Sequence, residues 1–184
     1  MKRISGFDPV IGKQPRVLVL GSMPSEKSLA QQEYYGHPQN AFWRIMGDLF
    51  AAGRDQPYAQ RLLQLQRCRI ALWDVLASCE RPGSLDANIT GARANDFGTL
   101  FMRHATICYV FFNGRKAEDE FRRKARPQLE VSGYVPDYRT LPSTSPAHAS
   151  LTYDQKLREW AVIRDVLESE PGAGDCDPEK ARGE

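Results

Sequence analysis

The sequence of 184 residues is long enough for one well-packed domain and short for two. Hydrophobic residues make up 41% and charged residues 26% of the chain, as in ordinary globular proteins, and no apolar run approaches the roughly 18 residues of a membrane span. The formal net charge is +2, but residues 171–184 contain four acidic and two basic residues, so residues 1–170 carry +4. This modest excess permits an anionic partner without requiring one.

The N-terminal segment MKRISGFDPV is basic, but Asp8 and Pro9 stand where the apolar stretch of a secretory signal would lie. We therefore expect a cytoplasmic protein with no membrane attachment, and we expect it to be a monomer. A single domain is predicted over residues 1–170, followed by a disordered tail over residues 171–184.

Neither a CxxC pair nor an adjacent histidine accompanies the four cysteines, which are Cys68, Cys79, Cys108 and Cys176. This spacing gives no support to a zinc or iron–sulfur site, and the aspartates also lack metal-site spacing. The first three cysteines are expected to pack as small apolar side chains, and the last lies in the tail. We expect no metal and no cofactor.

Four short runs rich in β-branched, leucine and aromatic residues predict strands. They are RVLVL at residues 16–20, RIALW at 69–73, TICYVFF at 106–112 and the weaker YRTL at 138–141. Apolar residues at helical spacing lie between and after them, at residues 42–50, 58–65, 96–102, 114–125 and 157–167. Buried strands that alternate with helices indicate an α/β fold, a three-layer α/β/α sandwich around a four-stranded, mostly parallel sheet.

The segments that follow the predicted strands are the first place to look for a site, because open parallel sheets bind ligands beyond the carboxyl ends of their strands. These segments are GSMPS at residues 21–25, DVL at 74–76, NG at 113–114 and PSTSPAH at 142–148. The segment YYGHPQNAFW at residues 34–43 continues the first of them and is expected to face the same crevice.

The chemistry of these segments excludes several common enzyme classes. GSMPS lacks the G-x-S-x-G turn of a serine hydrolase, and the chain contains neither the GxxxxGK[ST] nor the GxGxxG pattern of nucleotide sites. Amides, hydroxyl groups and aromatic rings instead suit a planar, polar heterocycle, which they hold by stacking and by hydrogen bonds along its edge. The charge is then carried by the phosphates of the substrate.

Four segments, in the same order, resemble the motifs of the uracil-DNA glycosylase superfamily, and most closely those of its hypoxanthine-DNA (deoxyinosine) glycosylase branch. GSMPS with YYGHPQNAFW resembles the first motif and its extension, LWDVLASCERPGSLDANI resembles the middle segment of that branch, and FFNG and LPSTSPAHA resemble the other two motifs. The resemblance covers roughly residues 5–167.

The resemblance implies a monofunctional DNA glycosylase of base excision repair. Such an enzyme flips a deaminated base out of DNA and hydrolyses its N-glycosidic bond, and we expect hypoxanthine as the first substrate and uracil as the second. Because no lysine lies in the four motifs, we expect an abasic site without strand cleavage. The implied partner is DNA that contains a deaminated base.

The resemblance also implies roles for single residues. Many relatives carry Asn or Asp at the position of Met23, whose thioether cannot position a water molecule, and the hypoxanthine branch carries its catalytic amide at the position of Asn40. Tyr35 matches the aromatic residue that stacks on the flipped base, and Asn113 matches the residue that reads it. The backbone N–H groups near Ser22 and Met23 are expected to receive negative charge on the base.

The loop after the fourth predicted strand resembles the segment that grips a phosphate and pushes a wedge into the duplex. The predicted DNA-contacting residues are Ser143, Thr144, Ser145, Pro146, Ala147 and His148. Gly36 is expected to leave room for a purine where a larger side chain would close the pocket.

Each assignment has a simpler structural alternative. Asn40 is also a good helix cap, Tyr35 can be a core aromatic residue, and His37 can be a structural hydrogen-bonding residue. Asn113 can be a turn residue before a glycine, and the basic segment at residues 115–126, which acidic residues interrupt, can be a solvated helix face. For the whole chain, the alternative is a nucleic-acid or nucleotide-binding module that kept the fold and lost catalysis.

Overall fold

The structure is a computed structural model that describes residues 3–82, 89–129 and 136–169, so the predicted tail lies outside the described residues. The strands are β1 Arg3–Ser5, β2 Val17–Gly21, β3 Ile70–Asp74, β4 Leu76–Glu80, β5 Thr90–Ala94, β6 Tyr109–Asn113 and β7 Asp137–Leu141. The helices are α1 Glu26–Gln31, α2 Phe42–Phe50, α3 Tyr58–Arg67, α4 Phe97–Arg103, α5 Arg115–Lys124, α6 Arg126–Leu129, α7 Tyr153–Trp160 and α8 Val162–Glu168. None of these helices is both long enough and apolar enough to span a membrane.

The central sheet has four strands in the order β3-β2-β6-β7, and all three pairings are parallel. Its strands are the four that the sequence predicts. A second, three-stranded antiparallel sheet, β1-β4-β5, was not predicted. The sequences LASCE and TGARA of β4 and β5 lack a continuous apolar run and a regular alternation, because both strands are only partly buried.

Alternate residues of the central strands enter two separate hydrophobic cores. In β2, Val17 and Val19 pack with α2, α3, α7 and α8, whereas Leu18 and Leu20 pack with α4, α5 and α6. In β6, Tyr109 and Phe111 belong to the first core, and Val110 and Phe112 to the second. A sheet that is covered on both faces confirms the predicted three-layer α/β/α architecture.

Three helical features differ from the prediction, and one of them is α6, a helix of four residues that was not predicted. Helix α1 was not predicted, since its six residues EKSLAQ are mostly polar, and it begins where the Ser25 hydroxyl accepts a hydrogen bond from the N–H of Ser28. The last helix begins four residues earlier than predicted, at a capping box of Thr152 and Gln155, and it is divided into α7 and α8 at Ala161.

The cysteines differ in part from the prediction. Cys79 is fully buried in the second core and Cys68 is partly buried against the first, and both are free thiols. Cys108 also packs against the first core, as predicted, but it is disulfide-bonded, which was not predicted.

The strand order fixes where a ligand can enter. The chain passes from β2 outward to β3 on one side, and from β6 outward to β7 on the other, so the direction of the connections reverses between β2 and β6. Such a point in an open parallel sheet leaves a crevice beyond the carboxyl ends of its two central strands. Gly21 ends β2 and Asn113 ends β6, so the crevice opens directly above these residues.

Gly114 allows the loop after β7 to approach the end of β6. Its φ is +90°, and a Cβ atom at this position would lie 2.9 Å from the Cβ of Ser143. We expect Gly114→Ala to lower the free energy of unfolding by more than about 1 kcal/mol, measured by urea denaturation. Gly98→Ala is the control, because Gly98 lies inside α4, where a Cβ would meet only ordinary contacts. Equal stability of the two variants would contradict the constraint at Gly114.

Candidate functional site

A cavity of about 440 Å³ lies at the carboxyl ends of the central strands. All four predicted loops border it, and the DVL segment does so through Asp74 alone. The segment between α1 and α2 also borders it. All of the site residues proposed from the sequence line it, namely Ser22, Met23, Tyr35, Asn40, Asn113 and residues 143–148. The structure therefore brings together residues that are up to 126 positions apart in the chain, from Ser22 to His148.

Asn40 lies two residues before α2 and is partly buried. Its side-chain Oδ1 accepts a hydrogen bond of 2.9 Å from the N–H of Phe42, and its own N–H donates to the carbonyl of His37 at 2.9 Å. Asn40 thus precedes the N-cap residue, Ala41, and its side chain holds the N–H of the first helical residue. An amide oxygen can accept two hydrogen bonds, so Oδ1 keeps one acceptor position while its orientation is fixed by the helix.

An open groove of about 820 Å³ adjoins the cavity, and the sequence did not predict it. Asn40 is the one described residue that borders both the groove and the cavity. The groove is lined by three cationic and two acidic side chains, which are Arg44, Arg54, Lys156, Asp48 and Asp55. The Arg44 guanidinium lies over the ring of Tyr153, 3.6 Å from its centroid.

Arg54 and Lys156 connect the groove to the loops around the cavity. Arg54 Nη2 donates to the carbonyls of Tyr35 at 3.0 Å and His37 at 2.8 Å, and Lys156 Nζ donates to the carbonyl of His148 at 2.7 Å. Burial lowers the pKa of Lys156 below its usual value. Sequence reasoning missed both residues, since a single Arg or Lys on a loop or helix is no signal of a site.

Tyr35 combines a packing role with exposure to the cavity. Its ring stacks on that of Phe42, with centroids 3.9 Å apart, and its backbone has a φ of +54°, which is uncommon outside glycine. The hydroxyl group is buried and completes no hydrogen bond of normal geometry with a described residue. Burial raises the pKa of Tyr35 far above its usual value and the carboxylate of Asp74 raises it further, although the side-chain amide of Asn113 lies near enough to lower it slightly.

Gly21, rather than Gly36, is the glycine that shapes the cavity. A Cβ at Gly21 would lie 2.5 Å from Oδ1 of Asp74 and 3.2 Å from Oη of Tyr35, all of which border the cavity. A Cβ at Gly36 would instead meet Gln31 at 2.6 Å in α1, and Gly36 does not border the cavity, so its predicted role in making room for a purine gains no support. The buried Asp74 was missed as a site residue, although its position after a predicted strand was a signal.

Asn113 uses its side-chain amide to hold the loop after β7. Its Oδ1 accepts from the N–H of Thr144, and its Nδ2 donates to Oγ1 of the same residue, both at 2.8 Å. The turn alternative applies to the next residue, because the left-handed φ belongs to Gly114 and not to Asn113. The amide retains one lone pair and one N–H hydrogen for a ligand.

The loop of residues 143–148 is organised by its own side chains. The Ser143 hydroxyl accepts from the N–H of Ser145 at 3.2 Å, and the Ser145 hydroxyl accepts from the N–H of Ala147 at 3.3 Å. Pro146 and Ala147 form its exposed tip, and His148 is partly buried. Of residues 143–148, Thr144 alone is buried, and the other five keep surface that a bound macromolecule can reach.

The remaining first-motif residues are largely inside the protein. Ser22 and Met23 are 9% and 7% exposed, and Met23 packs in the second core. His37 accepts a hydrogen bond at Nδ1 from the N–H of Gln39 at 3.1 Å. This contact within the turn is the kind of hydrogen bond that the structural alternative for His37 describes.

The basic segment at α5 is consistent with a solvated helix face. Lys116 and Arg123 both pair with Glu120, at 2.9 and 2.6 Å, and Arg122 lies 3.9 Å from Glu118. These charges are compensated within the helix. Across residues 3–82, 89–129 and 136–169, no three His, Cys, Asp or Glu side chains are grouped closely enough to hold a metal ion.

Known proteins with this arrangement were found by sequence and by structure. Two curated relatives are both described as hypoxanthine DNA glycosylase. The protein of Methanosarcina acetivorans is 36% identical over 160 residues, which cover 86% of this chain and 97% of the relative. The protein of Methanosarcina barkeri is 37% identical over 132 residues, which cover 70% of this chain and 79% of the relative.

A solved structure agrees with the sequence relatives. The solution NMR structure of a Methanosarcina acetivorans protein, described there as a candidate uracil DNA glycosylase, superposes with a TM-score of 0.74 at 35% identity. The similarity covers 91% of this chain and 100% of that protein. The family model of the uracil DNA glycosylase superfamily matches residues 9–167. The chain therefore belongs to the uracil DNA glycosylase superfamily.

Proposed function

We propose that this DNA glycosylase removes hypoxanthine from DNA, with uracil as its second substrate, and leaves an abasic site without cutting the strand. The curated relatives support hypoxanthine as the substrate, since both are described as hypoxanthine DNA glycosylase. The ranking of the two bases and the lack of strand cleavage rest on the chemistry of the cavity. The proposed partner is DNA that contains a deaminated base, bound by a monomer.

The position of Asn40 between the cavity and the groove is the observation that carries this proposal. A flipped nucleotide would place its base in the cavity at the strand ends and its sugar and phosphates in the adjoining groove. The glycosidic bond joins base and sugar, so it would lie where the two spaces meet, beside Asn40. The cavity volume of about 440 Å³ is within the range of about 300–1,000 Å³ that is usual for small-ligand pockets.

Hydrolysis of the glycosidic bond at this position does not require a strong acid or base from the protein. The bond breaks through a sugar with oxocarbenium character, so the protein has to orient a water molecule and to stabilise charge on the leaving base. The free acceptor position on Oδ1 of Asn40 can orient the water, because the contact with Phe42 N–H already fixes the amide. Backbone N–H groups near Ser22 and Met23 are the proposed partners of the base.

The cavity also supports the substrate ranking. Hypoxanthine and uracil each carry a carbonyl beside a ring N–H, and the Nδ2 hydrogen that Asn113 retains can donate to that carbonyl. Adenine presents an amino group at this position, so two donors would face each other in a buried site, which is costly. The absence of a Cβ at Gly21 lets the Asp74 carboxylate and the Tyr35 hydroxyl lie close to the end of β2.

The lysines of the described residues do not favour strand cleavage. Lyase activity needs a free amine that attacks the sugar, and no lysine borders the cavity. Lys156 lies in the groove, but its Nζ is hydrogen bonded to the carbonyl of His148. Its proposed role is to hold the loop whose exposed tip, Pro146–Ala147, would enter the duplex.

The function is tested by single-turnover excision from duplexes of one sequence that contain inosine, uracil, xanthine or adenine. We expect hypoxanthine to be released fastest, uracil more slowly and adenine least of all. The product should be cut only after treatment with alkali, since the amine of Lys156 in the groove is held by the carbonyl of His148. Faster release of uracil than of hypoxanthine would reverse the ranking, and scission without alkali would contradict monofunctional chemistry.

Asn40 can be tested separately as a catalytic residue and as a helix cap. Asn40→Ala should lower the excision rate about a hundredfold or more, the usual effect of losing a group that positions or activates water, and should cost about 1 kcal/mol of stability. Asn40→Ser is the matched control, because serine is also a good cap but its side chain is shorter. It should be as stable as the wild type and still inactive. An active Asn40→Ser variant would mean that Asn40 is only a cap.

Tyr35 should contribute through its ring and not through its hydroxyl, which completes no hydrogen bond of normal geometry with a described residue. Base–aromatic stacking is worth about 1–3 kcal/mol, so Tyr35→Ala should reduce excision by about fivefold to about 150-fold. Tyr35→Phe keeps the ring and should stay close to the wild-type rate. Excision rates and unfolding temperatures of both variants check this. An equal loss of activity in the two variants would assign the role to the hydroxyl.

A further inference from the structure

Thr144 differs from the rest of its loop because it is buried. It is 1% exposed, whereas Pro146 and Ala147 form the exposed tip. Its N–H and Oγ1 are bound to Asn113, and its carbonyl accepts a hydrogen bond of 3.0 Å from the N–H of Ala41. A buried residue with these contacts is poorly placed to bind a DNA phosphate, which is the role that the sequence suggested for it.

The contact with Asn113 fixes the orientation of its amide. A backbone N–H can only donate, so the amide atom that faces Thr144 N must be the oxygen Oδ1, and Nδ2 must then face the hydroxyl Oγ1. Since both partner atoms belong to one residue, they bind the edge that Oδ1 and Nδ2 share. A base can therefore be met by the second Nδ2 hydrogen or by the second Oδ1 lone pair, which point away from each other on opposite flanks of the amide.

We propose that Thr144 is a positioning residue for base recognition, which acts through Asn113. This proposal rests on the proposed function, because it assigns to Asn113 the reading of the flipped base. Thr144 sets which end of the amide donates and which end accepts. Its carbonyl also fixes Ala41, the neighbour of Asn40, relative to the same amide. Thr144 thus holds both Asn113, which is proposed to read the base, and the neighbour of Asn40, which is proposed to position the water.

The orientation matters because an amide turned by 180° exchanges its donor and its acceptor. The donor end suits the carbonyl of hypoxanthine or uracil, whereas the acceptor end would suit the amino group of adenine. Without Oγ1, Nδ2 of Asn113 loses its partner in a buried place, and one of the two contacts that oppose rotation of the amide is lost.

Two substitutions of Thr144 separate its hydroxyl from its volume. Thr144→Val removes the acceptor Oγ1 at similar size, and we expect it to lower single-turnover excision of hypoxanthine about tenfold, the effect of about one buried hydrogen bond. The Kd for DNA and its salt dependence should not change, since no phosphate contact is lost. Thr144→Ser keeps the hydroxyl and should restore the rate. Thr106→Val is the control, because the Thr106 hydroxyl donates to Pro15 O at the opposite end of β6.

Action through Asn113 is tested in an Asn113→Ala background, where Thr144→Val should cause no further loss of rate. A second readout needs no activity. In NMR spectra, one Nδ2 proton of Asn113 should exchange slowly with water in the wild type and in Thr144→Ser, and should lose this protection in Thr144→Val. The Asn113→Ala variant identifies the signal by its disappearance.

The outcomes distinguish this proposal from the proposed function. Weaker DNA binding with a smaller salt dependence in Thr144→Val would make Thr144 a phosphate contact and overturn its positioning role. An unprotected Asn113 amide in the wild type would overturn it as well. A wild-type enzyme that does not release hypoxanthine would overturn the proposed function, while the NMR signal would still decide whether Thr144 holds the Asn113 amide.

Discussion

The parallel pairing of β2 with β6 is the constraint on which the site depends. Its register sets Leu20 opposite Phe112, so Gly21 and Asn113 leave the sheet side by side. Both strands are buried on their two faces by separate cores, which makes a slip in register costly. The crevice between the ends of these strands is therefore fixed by packing far below it, and the loops above need only short connections to reach it.

The central layer could be predicted from the sequence because its strands are continuous apolar runs, a pattern that buried parallel strands require. The antiparallel sheet could not be predicted in this way. Residues of β4 and β5 range from buried to exposed without a regular pattern, so neither strand shows a continuous apolar run. Helix α1 was not predicted for a similar reason. It is short and polar, and its start depends on the Ser25 cap more than on an apolar face. Burial on one side leaves a weaker pattern than burial on both.

The candidate site was predictable as a set of loops but not as a set of contacts. Sequence order and motif resemblance named residues that border one cavity, because the ends of parallel strands must converge. Nothing in the sequence distinguishes the buried Thr144 from the exposed Pro146 two residues later, or indicates that Arg54 holds the carbonyls of Tyr35 and His37. Such contacts join residues far apart in the chain, and they depend on loop conformations that local residue preferences do not determine.

The polar groups of the site are mostly held by the protein itself. Phe42 N–H orients Asn40, and Thr144 orients Asn113, and in each case the amide keeps part of its hydrogen-bonding capacity for a substrate. Groups that are already oriented lose little freedom when a ligand binds. Tyr35 is the exception, since its strained backbone and its buried hydroxyl without a hydrogen bond of normal geometry both cost stability. Such a cost at the wall of the cavity is understandable only if the position of the ring is worth more to function than its relaxation would be worth to folding.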